Sequence, residues 1–203
     1  MTNFTKWLRN LWPIQRFELK KFLPLFFMKF CISFVYGILV SMKDTLIVTG
    51  DGSGAEVIPI LKGWIVLPVA LLVTLFYSKL TQKYERSTIF YLTISFFVAF
   101  VTIYGFILYP YRELLSPIES SNRLLSTLGP QYANWIAVYR NWTQSLFFVV
   151  AELWAPLAIF MLFWGLCNQI NMVTEAKRYY TLFVVSGDLA TVFTGPLLIY
   201  CSK

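Results

Sequence analysis

Seven ionisable side chains lie inside or at the ends of long apolar runs: Lys29, Lys43, Asp44, Lys62, Arg140, Glu152 and Asp188. A charge at the centre of a bilayer helix costs about 2.5–3.5 kcal/mol even on the mildest insertion scale. Contact with lipid gives no reason to keep such groups, and none to keep both signs. Together they point to a polar cavity between helices that handles a charged solute. Lysines bind phosphate as point charges, and a buried carboxylate either orients a lysine or carries a proton. The residue chemistry stops at an organic anion, with phosphorylated solutes the natural class.

The elements that carry these groups are membrane helices. The chain has 203 residues, of which 58% are hydrophobic and 19% aromatic. A soluble domain averages about 45–50% apolar, and a chain of this size has no core large enough to hide the excess. The fold class is all-α, a polytopic transmembrane helix bundle of five spans. The pattern places them at about 22–49, 56–80, 88–109, 133–170 and 179–201. Within the fourth run, Thr143 to Cys167 forms the membrane part. Pro68 and Pro156 fall inside spans, and Pro68 is expected to kink its helix. The glycines from Gly50 to Gly54 make a turn, and the segment from Tyr111 to Pro130 is a polar connection. The length fits one bundle rather than two domains.

Net charge is +7, with basic residues set between apolar runs rather than along a stripe, so nucleic acid is not an expected partner. Residues 1–21 form a basic segment with five Lys/Arg against one Glu. The loops after the second and fourth spans are basic too, which puts the N-terminus in the cytoplasm. Cys31, Cys167 and Cys201 lack metal-ligand spacing and read as small apolar residues. Histidine is absent, which removes the usual general base. With no hydrolase or metal motif either, no enzymatic step and no cofactor is expected.

Placed by depth, Lys43, Asp44, Lys62 and Glu152 come from three spans to one level in the outer half. Glu152 lies roughly 13 Å below the outer edge. Arg140 sits at the mouth above them, among Trp135, Tyr139 and Trp142. Lys62 and Glu152 either pair with each other or contact substrate or a coupling ion. Both hold if substrate breaks an ion-pair gate. Lys43 and Asp44 are neighbours on one helix and do not face each other, so their pair is not expected to stand alone. Lys29 reads as a snorkelling lysine at the inner end, and Asp188 falls in the inner half. Tyr36 and Trp64 are candidates to stack on a planar ring.

Four strings carry a family likeness. They are Ser41-Met42-Lys43-Asp44-Thr45-Leu46-Ile47-Val48-Thr49, then Ala55-Glu56-Val57-Ile58-Pro59-Ile60-Leu61-Lys62-Gly63-Trp64. Next comes Ala151-Glu152-Leu153-Trp154 with Leu162-Phe163-Trp164-Gly165 and Asn168-Gln169-Ile170. Last is Glu175-Ala176-Lys177-Arg178 with Tyr180 and Leu182-Phe183. In this order and spacing they resemble the ATP/ADP translocases of plastids and of obligate intracellular bacteria such as chlamydiae and rickettsiae. The resemblance implies exchange of host ATP for bacterial ADP and phosphate across the inner membrane. It also implies a twelve-span bundle similar to the major facilitator architecture, of which this chain supplies part of the N-terminal half, with the C-terminal half missing. Family lysine and glutamate positions implicated in transport map onto Lys62 and Glu152, with Lys43 carried at less weight. Val40 stands where relatives often have a charge. That keeps open a proton-coupled transporter of another nucleotide, beside an inactive structural membrane fragment.

Overall fold

The computed structural model describes residues 14–201. Among these residues all regular structure is helical. Five helices are long and apolar enough to cross a membrane: α1 (Leu19–Val48), α2 (Val57–Lys83), α3 (Arg86–Leu108), α6 (Trp142–Ile170) and α7 (Val173–Cys201). Two shorter helices, α4 (Ile118–Leu128) and α5 (Ala133–Arg140), lie between α3 and α6. Most of the basic N-terminal segment lies outside the described residues.

Three details refine the sequence reading. Within the polar connection from Tyr111 to Pro130, Ile118–Leu128 is helical. Ile118, Leu125 and Leu128 return to one side of it after seven and three residues, a helical period that the polar residues between them obscure. The long fourth run divides at Asn141, whose amide donates to the Asp51 carbonyl at 2.9 Å and the Ala137 carbonyl at 3.0 Å. Helix α7 starts at Val173, so the basic pair Lys177 and Arg178 belongs to the helix rather than to a loop.

The chain divides into two compact units. The first holds residues 14–38 and 159–201 of the described chain. Here the early part of α1 and helix α7 approach closely because small residues face each other. A Cβ on Gly37 would lie 2.7 Å from Thr194 Oγ1, and one on Gly187 would lie 3.1 Å from Ser33 Oγ. Ser186 Oγ donates to the Phe26 carbonyl at 2.9 Å. Small residues that let backbones meet are the usual means of helix association in lipid, where no hydrophobic drive exists between helices. Phe22 stacks on Phe183 at 5.4 Å and meets Tyr179 edge-on at 5.3 Å, filling the end of the crossing. At that end Lys21 pairs with Glu175 at 2.6 Å, and Arg178 donates to Glu18 at 3.0 Å.

Lys29 belongs to this first unit and is not a snorkelling residue. It is only 7% exposed, and its ammonium donates to Ser33 Oγ at 3.0 Å while lying 5.7 Å from the Phe163 ring centre. The bare Cα of Gly187 leaves room for it, since a Cβ there would come within 3.5 Å of Lys29 Nζ.

The second unit spans Leu39–Ala158. Its core joins Ile47 of α1, Val57, Leu61 and Val66 of α2, Ala137 of α5, and Phe148 and Val149 of α6. A second cluster sets Tyr104 at a tilt against Phe147 at 4.4 Å and Phe97 edge-on to Trp154 at 4.8 Å. The two internal prolines produce widened turns. Pro68 has no N–H for the Trp64 carbonyl, and the preceding turn, Leu61–Val66, is a π turn in which the Leu67 N–H reaches back to the Lys62 carbonyl. Pro156 likewise withdraws the donor due to the Glu152 carbonyl, and a π stretch follows over Ala155–Trp164. Lys62 and Glu152 therefore both sit where their helix departs from α geometry.

Candidate functional site

The charged centre of the second unit is built from three helices. Helix α1 contributes Lys43 and Asp44, α2 contributes Lys62 from its π turn, and α6 contributes Glu152 from the last turn before its own. Glu152 bridges the two lysines with its two oxygens. Oε2 lies 3.0 Å from Lys43 Nζ and Oε1 lies 3.6 Å from Lys62 Nζ. Lys43 Nζ also donates to Asp44 Oδ1 at 2.7 Å. The four residues predicted to share one level are thus linked into one chain of contacts. The Lys43–Asp44 pair does not stand alone, as their adjacent helix positions predict. Their helix positions diverge, but the long lysine stem folds back to its neighbour while still reaching Glu152.

Burial separates the roles of the two lysines. Lys43 is 2% exposed, against 50% for Lys62, 27% for Glu152 and 44% for Asp44. The Lys43 ammonium lies over the Phe148 ring at 4.3 Å from its centre, an arrangement that attracts a desolvated cation to the π face. Two carboxylates and a ring therefore compensate the buried charge, as a buried ammonium requires. Lys62 has a single, longer contact and an open flank. The group as a whole carries two positive and two negative charges, so the empty site is electrically balanced. An anion arriving at Lys62 competes with one oxygen of Glu152 and leaves the other on Lys43.

Arg140 takes partners of its own and shares none with this centre. Its Nη1 lies 3.1 Å from Asp51 Oδ2, its Nε donates to Ser121 Oγ at 2.8 Å, and Nη2 donates to Asn122. It pins the turn after α1 to α4. The turn needs its glycines there. Gly52 has φ +64°, and a Cβ on Gly50 would lie 2.6 Å from Gln144 Oε1. Trp64 is exposed and meets Trp135 edge-on at 6.0 Å, which leaves one face of its indole open. Tyr36 lies in the first unit and is half-buried.

Two further residues escaped the sequence reading. Phe148 was one aromatic among many, and only the lysine above it distinguishes it. Gln144 stands eight residues before Glu152, at a spacing that returns to the same side of α6. It is buried, with an Oε1 atom that has no hydrogen-bond partner. A glutamine inside an apolar span was the available signal.

The model of the TLC ATP/ADP transporter family matches residues 1–203. The chain belongs to this family. It is 45% identical over 193 residues to ADP,ATP carrier protein 1 of Chlamydia muridarum (strain MoPn / Nigg), an alignment covering 95% of this chain and 36% of the carrier. To the plastidic ATP/ADP-transporter of Solanum tuberosum it is 44% identical over 190 residues, or 94% of this chain and 30% of that protein. The more distant ADP,ATP carrier protein 2 of Chlamydia trachomatis is 34% identical over 201 residues. The chain thus spans about a third of the length of the curated relatives it matches. No solved structure matches it. As a family member with five apolar helices of spanning length, it is a multi-pass membrane protein.

Proposed function

We propose that this chain forms the first part of a carrier that exchanges ATP for ADP, with phosphate accompanying ADP. The observation that carries the reading is the Glu152 carboxylate shared between buried Lys43 and half-exposed Lys62, in a chain matched throughout by the ATP/ADP transporter family. Lys62 receives the phosphate charge, Lys43 supplies a fixed positive anchor, and Glu152 holds both in place when the site is empty. Binding loosens the Lys62–Glu152 contact, so the energetic balance of the site differs between empty and loaded states. A carrier changes its access only as far as a ligand favours one state over another. Exchange follows when the loaded site reorients and the empty one does not, in the alternating-access manner of two membrane halves moving about a central site. The remaining spans come from beyond this stretch of sequence.

We also propose a bacterial inner membrane with the N-terminus on its cytoplasmic side, a reading supported by the basic residues before α1 and around the α2–α3 turn. The chlamydial relatives support that membrane, and the plastidic ones place the same family in an organelle.

The test joins residues 1–203 to the remaining portion of the Chlamydia muridarum carrier and expresses the fusion in a bacterium that does not import ATP. Labelled ATP uptake, stimulated by internal ADP and competed best by ADP and ATP among a nucleotide panel, is the expected result. A fusion that reaches the membrane in normal amount but exchanges neither nucleotide overturns the reading in favour of an inactive structural segment. Uptake of another nucleotide driven by a proton gradient overturns it in favour of symport.

A further inference from the structure

Helix α7 has three distinct sides. At 3.6 residues per turn, Tyr179, Phe183, Ser186, Ala190 and Thr194 fall together, and all are buried. Val185, Leu189 and Pro196 fall on a second side and are exposed. A third line, at three- and four-residue steps, runs through Thr174, Lys177, Thr181, Asp188, Thr191 and Gly195, interrupted by Val184. Every one of these six is exposed, and a Cβ on Gly195 would meet nothing within 4 Å.

The two exposed sides differ in the solvent they suit. The apolar side suits acyl chains. The polar side does not, because Asp188 stands one residue past the midpoint of a 29-residue helix. An aspartate at that depth is costly against lipid. The hydroxyls can satisfy themselves on their own helix, as Thr191 Oγ1 does on the Asp188 carbonyl at 2.7 Å. The carboxylate cannot; Lys29 of α1 is near enough to act on its charge, but the ammonium donates to Ser33 instead and the carboxylate stays exposed. Lys29 offsets part of that charge from the α1 side, but a further helix covering this line would need polar partners for several turns. Water needs none.

We infer that the Thr174–Gly195 line of α7 is a water-lined wall of the solute pathway, with Asp188 as its charged group. This deepens the exchange reading and rests on it for the identity of the solute. A carboxylate in the path of an anionic nucleotide repels the phosphates and accepts hydrogen bonds from neutral donors, such as ribose hydroxyls or an exocyclic amine. Asp188 thereby favours the nucleoside end of the solute over its phosphate end.

The experiment places single cysteines in this chain after Cys31, Cys167 and Cys201 have been replaced by serine or alanine. Thr181→Cys, Asp188→Cys and Thr191→Cys report the polar line, and Val185→Cys and Leu189→Cys report the apolar side. A charged, membrane-impermeant methanethiosulfonate is applied to intact cells and to inverted vesicles. The polar positions are expected to react at least tenfold faster than the apolar ones from one side or the other. The two threonine positions carry the result if Asp188→Cys does not accumulate. Equal, slow reaction at all five positions overturns the wet wall. The same substitutions in the chlamydial fusion separate this inference from the one beneath it. Slow reaction with ATP exchange intact sinks the wall alone. Fast reaction in an unsubstituted background that exchanges no nucleotide leaves the wall standing and sinks the nucleotide. Fast reaction that saturating ATP or ADP slows supports both.

Discussion

Glu152 Oε2 and Lys43 Nζ meet at 3.0 Å where the lysine is 2% exposed. Removing one partner of a buried pair leaves an uncompensated charge and costs about 3–5 kcal/mol when the pair is fully dry. Glu152 is partly exposed and Lys43 keeps Asp44, so the loss here is smaller. Glu152→Gln is expected to leave membrane accumulation near normal and to reduce ATP exchange by the fusion about tenfold or more, an energetic change of about 1.4 kcal/mol. Lys43→Ala is expected to lower both accumulation and the thermal unfolding temperature in detergent. Equal effects of the two substitutions on folding would contradict the division of roles.

Lys62 is the contrasting case. Half-exposed ion pairs contribute about 0–1 kcal/mol to stability. Lys62→Ala should therefore unfold within a degree or two of the parent protein while exchange falls sharply and the apparent affinity for ATP weakens. Lys62→Arg keeps the charge and should recover binding better than rate, since a guanidinium does not reproduce the geometry of an ammonium. Unchanged uptake and affinity in Lys62→Ala would remove this residue from the mechanism.

Packing in the first unit makes a prediction independent of transport. Gly37→Val brings side-chain atoms onto Thr194, already 2.7 Å from the position of a bare Cβ. Overpacking of this kind costs about 1–3 kcal/mol. Gly195→Ala adds a methyl group where nothing lies within 4 Å and should be neutral or mildly stabilising through helix propensity. Thermal unfolding of the two variants in one detergent measures the difference. Similar unfolding temperatures would show that α1 and α7 do not cross at these residues.

Glu18 supplies the pH dependence. The Gln15 backbone N–H donates to its carboxylate at 2.9 Å, and Arg178 adds a second stabilising bond. The Gln15 bond first, with Arg178 added, outweighs the opposing effects of burial and of Glu175 and holds the carboxyl below its ordinary value. A depressed carboxylate contributes stability above the unfolded-state pKa of about 4.3. That contribution is lost as pH falls through the lower, folded-state value. The paired starts of α1 and α7 should thus open on acidification below about pH 4, seen as faster amide exchange at residues 15–22 and 173–179. Glu18→Gln should show fast exchange there already at neutral pH. A parent profile that stays flat into strong acid would rule out the contact.

Arg140 is expected to act through the turn it holds. Arg140→Ala frees Asp51, Ser121 and Asn122 together. It should increase proteolysis between Gly50 and Gly54 while lowering exchange less than Lys62→Ala does. A loss as deep as that of Lys62→Ala, with the turn still protected, would place Arg140 on the solute.

Much of this was legible in the chain. Lys62 and Glu152 stood out because a charge in an apolar run needs a reason, and depth counting brought both to one level with Lys43 and Asp44. The helix from Ile118 to Leu128 was less visible, because its polar composition resembles a loop. Lys29 was misread because snorkelling depends on having a way out. Whether a lysine turns outward or lies beneath a neighbouring glycine is decided by the facing helix, which hydropathy does not see. Arg140 was placed at the right end of its span, but its hold on Asp51, Ser121 and Asn122 came from segments distant in sequence.

Composition and charge placement alone determined a membrane protein of five apolar helices with polar groups kept at a cost. Burying backbone in lipid leaves helices as the natural choice, and keeping charges there demands partners. Tertiary structure alone decided how those partners are shared. One carboxylate serves two lysines, a phenyl ring and Asp44 complete the buried one, and the other is left half open. Side-chain reach and burial arise where separate helices meet, and a hydropathy pattern records only one helix at a time.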